Sequence, residues 1–185
     1  ICDKNDVVWI GTATDGLFRL IFEDSKVSVE AQPVSVICLL EKPQTCVGKN
    51  DASIKVIASG GNGDYSYSWS DVSISGNNPK NLINGSYTVT VTDKIGLSST
   101  CVIDITPPIP LNIEIVSMNQ VKSVNGKDGR IEVKGIGGTG DYKFRWGNGS
   151  SKTFIDKLGA GEYSVTITDK NKCTAESEFL LTREK

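Results

Sequence analysis

An eleven-residue stretch occurs twice in this chain, and it limits what the chain can fold into. The first copy is Ser59-Gly60-Gly61-Asn62-Gly63-Asp64-Tyr65-Ser66-Tyr67-Ser68-Trp69. The second is Ile136-Gly137-Gly138-Thr139-Gly140-Asp141-Tyr142-Lys143-Phe144-Arg145-Trp146. In each, a glycine-rich turn feeds a strand with an aromatic at every second position. Side chains alternate across a strand, so Tyr65, Tyr67 and Trp69 share one face, as do Tyr142, Phe144 and Trp146. Ser66 and Ser68, or Lys143 and Arg145, take the other face. One face is core and the other is wet.

The copies sit in a longer repeat. Trp146 follows Trp69 by 77 residues, and Tyr163 follows Tyr87 by 76. Leu111, Ile113 and Ile115 match Val34, Val36 and Cys38, and Thr166 to Lys170 match Thr90 to Lys94. A unit of about 75 residues is too long for a solenoid repeat and suits a small domain. Val34 to Leu40 alternates, with Val34, Val36, Cys38 and Leu40 on one face. Tyr87, Val89 and Val91 point inward between outward threonines. Ile74 falls on a short edge strand within a polar stretch. No segment has helical periodicity, and turns recur every 8–12 residues. The expected fold is all-β, with two tandem immunoglobulin-like sandwiches over 33–106 and 111–185. A stiff Pro-rich linker, 107–110, joins them. The expected core holds Tyr67, Trp69, Tyr87, Phe144, Trp146 and Tyr163.

Residues 1–32 read as a short β-meander, with a turn at Thr14-Asp15-Gly16. The chain starts at Ile1 without a leader pattern and reads as a fragment or processed product. With no histidine among 185 residues, imidazole-based catalysis is excluded. A net charge of −2 argues against general nucleic-acid binding, and no apolar run approaches the ~20 residues of a membrane span. The five cysteines are Cys2, Cys38, Cys46, Cys101 and Cys173. They form no Cys-x-x-Cys pair and fit an oxidising compartment. Their odd number leaves at least one without an intrachain partner.

The ordered blocks are a turn, a strand, Gly-Gly-x-Gly-Asp-Tyr, an aromatic strand to Trp, then Asn-Leu-x-x-Gly-x-Tyr-Thr-Val-Thr-Val-Thr-Asp. They resemble the SprB-type repeat of Bacteroidota cell-surface adhesins, which is similar in outline to PKD-type modules. The resemblance covers about 34–106 and 111–182. It implies a secreted, surface-displayed, non-enzymatic module of a longer chain, associated with gliding and attachment. Its partners would be other domains of that chain and a surface glycan or protein ligand. The family often has a cysteine before the Asp-Gly-type turn and another after Thr-Asp-x-x-Gly. The first repeat keeps Cys46 but has Leu97 at the second position; the second has Ser123 at the first position and keeps Cys173. In an immunoglobulin-like sandwich the strands carrying Cys38 and Cys101 are neighbours. Cys38–Cys101 is the expected bridge, Cys46–Cys101 the alternative, and two reduced core thiols the third reading. Val8 to Leu20 resembles a blade motif of two-component-regulator-type β-propellers, which implies a final blade here; a generic hairpin is the alternative.

Three chemistries compete with a plain structural role. A phosphate loop needs a following helix, and a strand follows here. Calcium needs six to eight oxygens. Asp51, Asp93, Asp128 and Asp169 are the weak candidates, against turn capping as for Asp64 and Asp141; no other cofactor is expected. Tyr67, Trp69, Tyr142 and Trp146 could form a sugar platform, but alternation puts them inside. Any ligand is expected on the polar loops Asp71 to Asn81 and Gly147 to Asp156. Alternatives to the adhesin reading are ancillary carbohydrate-binding modules of a secreted enzyme and a periplasmic sensing region of a two-component regulator.

Overall fold

A computed structural model describes residues 8–12, 16–23, 26–122 and 126–184. Cys2 and residues 13–15 of the first expected turn lie outside these, as does Ser123. The described chain divides into two compact units. One takes the chain through Gln44 together with Asn50–Pro107; the other takes Thr45–Lys49 and the chain from Pro108 onward.

Three strands, β1 (Val8–Thr12), β2 (Gly16–Glu23) and β3 (Lys26–Ala31), form an antiparallel meander. Trp9 lies opposite Arg19 and Leu20 opposite Val29.

The first sandwich begins with β4 (Val34–Lys42) paired to β5 (Ser53–Gly60). The other layer is β6 (Ser66–Trp69), β7 (Gly85–Thr92) and β8 (Ser98–Ile105), with β7 central. The layers enclose Val34, Ala52, Ile54, Val56, Trp69, Leu82, Tyr87, Val89, Val91 and Ile105.

The second sandwich comprises β9 (Asn112–Asn119), β10 (Gly129–Ile136) and β12 (Phe154–Leu158) against β11 (Lys143–Trp146), β13 (Gly161–Thr168) and β14 (Thr174–Leu181). This is the A-B-E over C-F-G arrangement of an immunoglobulin-like sandwich without strand D. Trp146 on the C-type strand is 2% exposed and its ring lies 6.1 Å from that of Phe179.

Repetition is close but not complete. In the first unit no strand matches β12. The chain keeps to the edge of β5 through an isolated Ala52–Leu82 bridge and bonds from Ile54 N–H to Pro79 O and Val56 N–H to Asn77 O. Pro79 has no N–H to return to the ladder, which breaks the edge into separate contacts. The expected strand at Ile74 is absent; Ile74 is half-buried against the core from a turn.

Two inward assignments are corrected. Leu40 and Ile115 are exposed. Each stands beside the extra residue of a bulge, Glu41 in β4 and Val116 in β9, where the strand bends and the ladder is locally disrupted. Tyr67, Phe144 and Tyr163 are half-buried and pack against the clusters from their rims.

Candidate functional site

The glycine-rich stretch is the first candidate, and its surroundings are the same in both units. Gly60 and Gly137 have φ of 75° and 71°. A Cβ on either would run into the carbonyl oxygen of Pro33, just before β4, or of Pro110, two residues before β9. At Gly61 and Gly138 a Cβ would lie 2.6 Å from Oδ2 of Asp93 or Asp169. Only glycine permits both the backbone and the approach. Asp64 and Asp141 also have positive φ, 45° and 52°, a conformation aspartate tolerates better than most residues.

The aspartates of the following Thr-Asp-Lys turns close the loop. Asp93 accepts from Asn62 N–H through Oδ2 (2.9 Å) and from Ile95 and Leu97 N–H through Oδ1 (3.0 and 2.8 Å). Asp169 accepts from Thr139 N–H and Oγ1 (3.0 and 2.9 Å) and from Cys173 N–H (2.9 Å). Burial pushes the Asp169 carboxyl up, but bonds from Cys173 N–H, the Thr139 hydroxyl and N–H, and Asn171 N–H outweigh it and hold the carboxyl below its ordinary value. Lys94 and Lys170 N–H bond back to Gly63 and Gly140 carbonyls. The Tyr65 and Tyr142 hydroxyls donate to the Gly60 and Gly137 carbonyls, at 2.5 and 2.6 Å. These bonds and close approaches join two loops and the start of the first strand in each unit.

This arrangement bears on the calcium candidates. At Asp93 and Asp169 a cation would face N–H hydrogens, because the carboxylate oxygens already accept from backbone donors. Asp51 pairs with Lys42 at 3.1 Å, and Asp128 Oδ1 accepts from Lys122 N–H. Among the described residues, no three His, Cys, Asp or Glu side chains converge.

The aromatic platform does not form either. Trp69 and Trp146 are buried, and each indole N–H donates at 2.9 Å to the loop beyond its strand, to Gly76 O and Lys152 O. The Tyr87 and Tyr163 hydroxyls donate to carbonyls four residues upstream, Ile83 and Gly159, both at 3.0 Å. These are tyrosine corners, a feature of this sandwich class that sequence reading passed over. The signal was present as Tyr following Gly by two residues in each copy.

The polar loops differ between the units. Gly147 to Thr153 is closed on itself: Trp146 N–H bonds to Ser150 O, Gly149 N–H to Trp146 O, and Ser150 N–H to Asn148 Oδ1. Beside it the Arg130 guanidinium stacks 4.1 Å above the Phe154 ring and pairs with Glu132. The first unit's loop is longer and borders an open groove of 520 Å³, lined in part by Asn50, Ser73, Ser75, Asn78, Lys80 and Asn81. Asp71 accepts from the Ser73 hydroxyl and N–H, and these bonds hold its carboxyl below the ordinary value. The rim offers amide, hydroxyl and ammonium groups, suited to hydrogen-bonding a polar surface.

The cysteines also bear on the candidates. Cys38 on β4 is bonded to Cys101 on β8, with Cα atoms 6.2 Å apart. Cys46 is not Cys101's partner; it is bonded to Cys173, with Cα atoms 5.6 Å apart. Both separations lie in the usual disulfide range.

Residues 42–78 match the family model of the SprB repeat. No curated protein matches the chain. Among solved structures, the chain is similar to the three N-terminal domains of the highly immunogenic outer capsid protein of bacteriophage RB49, at 14% identity and TM-score 0.47, covering 83% of this chain and 59% of that one. It is also similar to the eight N-terminal immunoglobulin domains of Down syndrome cell adhesion molecule, at 10% identity and TM-score 0.41, covering 94% and 28%. A C-terminal fragment of intimin, solved with the intimin-binding domain of its translocated receptor, gives 14% identity and TM-score 0.35, covering 89% and 56%. The chain therefore spans under two thirds of the length of each.

Proposed function

We propose that the chain is a non-enzymatic segment of a surface-displayed bacterial protein, acting as a spacer and as an adhesive module. One observation carries this reading. The motif that most resembles a ligand loop is consumed, in both units, by bonds that hold the fold. What stays open for a partner is the polar loop Asp71 to Asn81 of the first unit, next to the groove. The match of residues 42–78 to the SprB repeat supports a surface role, and the two disulfides fit an oxidising exterior. A hydroxyl-rich glycan or a polar protein surface suits the amide and ammonium rim.

The test is retention of the purified chain on a glycan array and on intact bacterial cells, with wild type beside Ser75→Ala/Lys80→Ala. The reading predicts binding that the double variant weakens at unchanged stability. Binding that is unaffected by the substitutions would move the site elsewhere. Hydrolysis of a bound glycan would overturn the non-enzymatic reading.

A further inference from the structure

The Cys46–Cys173 bond changes what tension can do to this chain. Cys46 lies in the first sequence repeat, between β4 and β5, and Cys173 lies in the second, between β13 and β14. The position equivalent to Cys173 in the first repeat is Leu97, and the position equivalent to Cys46 in the second is Ser123. Neither repeat can make this bond alone. The segment Thr45–Lys49 is grouped with the second unit, where Cys46 is buried. Two backbone bonds place the partners: Lys49 N–H to Cys46 O, and Cys173 N–H to the Asp169 carboxylate.

We propose that this disulfide is a covalent shortcut that makes the chain a tension-bearing tie of limited extension. The claim follows from connectivity and does not depend on the adhesive reading. A pull on the two chain ends passes along the backbone to Cys46, through the two sulfurs, and out from Cys173. Everything between is a slack loop. That loop contains nine of the fourteen described strands, β5 to β13, with both tryptophan cores and both glycine-rich clamps. The bond spans 127 residues of sequence, so at ~3.3–3.6 Å per residue it withholds roughly 40–45 nm of contour. Among the strands, only β1 to β4 and β14 stand in the loaded path. Within that path β4 is tied at Cys38 to Cys101, on a strand inside the slack loop. Strand β4 therefore stays attached to sheltered structure after its hydrogen bonds have gone.

The experiment is single-molecule stretching of the full chain between end-attached handles. It compares the oxidised protein, the same protein with a dithiol reductant, and Cys46→Ser without reductant. The reductant takes the disulfide to two thiols and is itself oxidised to a cyclic disulfide. The expected fully stretched length of the oxidised protein is shorter by roughly 40–45 nm than that of the reduced protein. It is shorter by about half as much, roughly 21–23 nm, than that of Cys46→Ser, in which Cys38–Cys101 still closes its own 63-residue loop. The reading is of the unfolded chain, so it stands even if Cys46→Ser folds poorly. Equal lengths for oxidised and reduced protein would overturn the proposal, as would a Cys46→Ser chain no longer than the oxidised wild type. A non-reducing peptide map that joined either residue to Cys2 would also overturn it.

Discussion

A Cβ placed on Gly138 would sit 2.6 Å from Oδ2 of Asp169, and Gly61 stands in the same relation to Asp93. The paired residues are thirty-one and thirty-two positions apart, in different turns. Their approach lets one carboxylate cap its own turn and hold the neighbouring loop. The repeat motif is therefore a description of a joint between loops, written in two separated pieces of sequence.

Removing the carboxylate should release that joint. Asp169→Asn leaves backbone N–H groups with a weaker acceptor in a buried setting and should cost about 1.5–3 kcal/mol at neutral pH, measured by urea denaturation. The effect is pH-dependent. The folded carboxyl is held below its ordinary value, so its contribution is complete above the ordinary carboxylate range, ~3.9 for aspartate, and is lost as pH falls through the folded value. Wild type should therefore lose stability on acidification more steeply than the variant, and the two curves should converge in acid. Parallel curves would show that this carboxylate does not carry the effect.

The tryptophans should matter as core. Trp146→Ala is expected to cost about 3–5 kcal/mol, the range for large aromatic truncations, and Trp69→Ala a similar amount in its own unit. A melting temperature unchanged by either substitution would contradict their placement. Trp146→Phe retains most of the apolar contact but loses the indole bond to Lys152 O, and should cost less.

Much of this was legible in the sequence. Alternation ending in Trp69 and Trp146 marks the buried face because one sheet face must meet the other layer. The 77-residue spacing then divides the chain. The capping role of Asp93 and Asp169 was only half legible. A turn aspartate is readable locally, but its reach to Asn62 or Thr139 is a long-range contact with no local signature. Leu40 and Ile115 fail for a different reason: each stands beside a bulge, and a bulge leaves no composition signal. The half-pairs Cys46/Leu97 and Ser123/Cys173 hinted at a bond between repeats, yet connectivity does not follow from spacing.

Each tyrosine corner offers a small, clean substitution. Tyr163→Phe removes only the hydroxyl that bonds Gly159 O and should cost about 1 kcal/mol, as should Tyr87→Phe at Ile83 O. Thermal or urea denaturation gives the value; no loss at either site would mean that water replaces the bond without cost.

Calcium should not stabilise the chain. Melting temperatures in excess calcium and in chelator are expected to coincide, because the carboxylates of Asp93 and Asp169 already accept backbone N–H groups. A rise on adding calcium would require a site built from other oxygens.

The most direct test compares Gly138→Ala with Gly140→Ala by chemical denaturation. Both glycines have positive φ, 55° and 74°, but a Cβ at Gly140 meets nothing within 4 Å. Each variant should lose about 1–2 kcal/mol from the left-handed backbone alone. Gly138→Ala should lose a further 1–3 kcal/mol or so, because the methyl group must displace the Asp169 carboxylate. Equal losses at the two positions would contradict the account, since the motif would then need glycine only for its turn and not for the joint between loops.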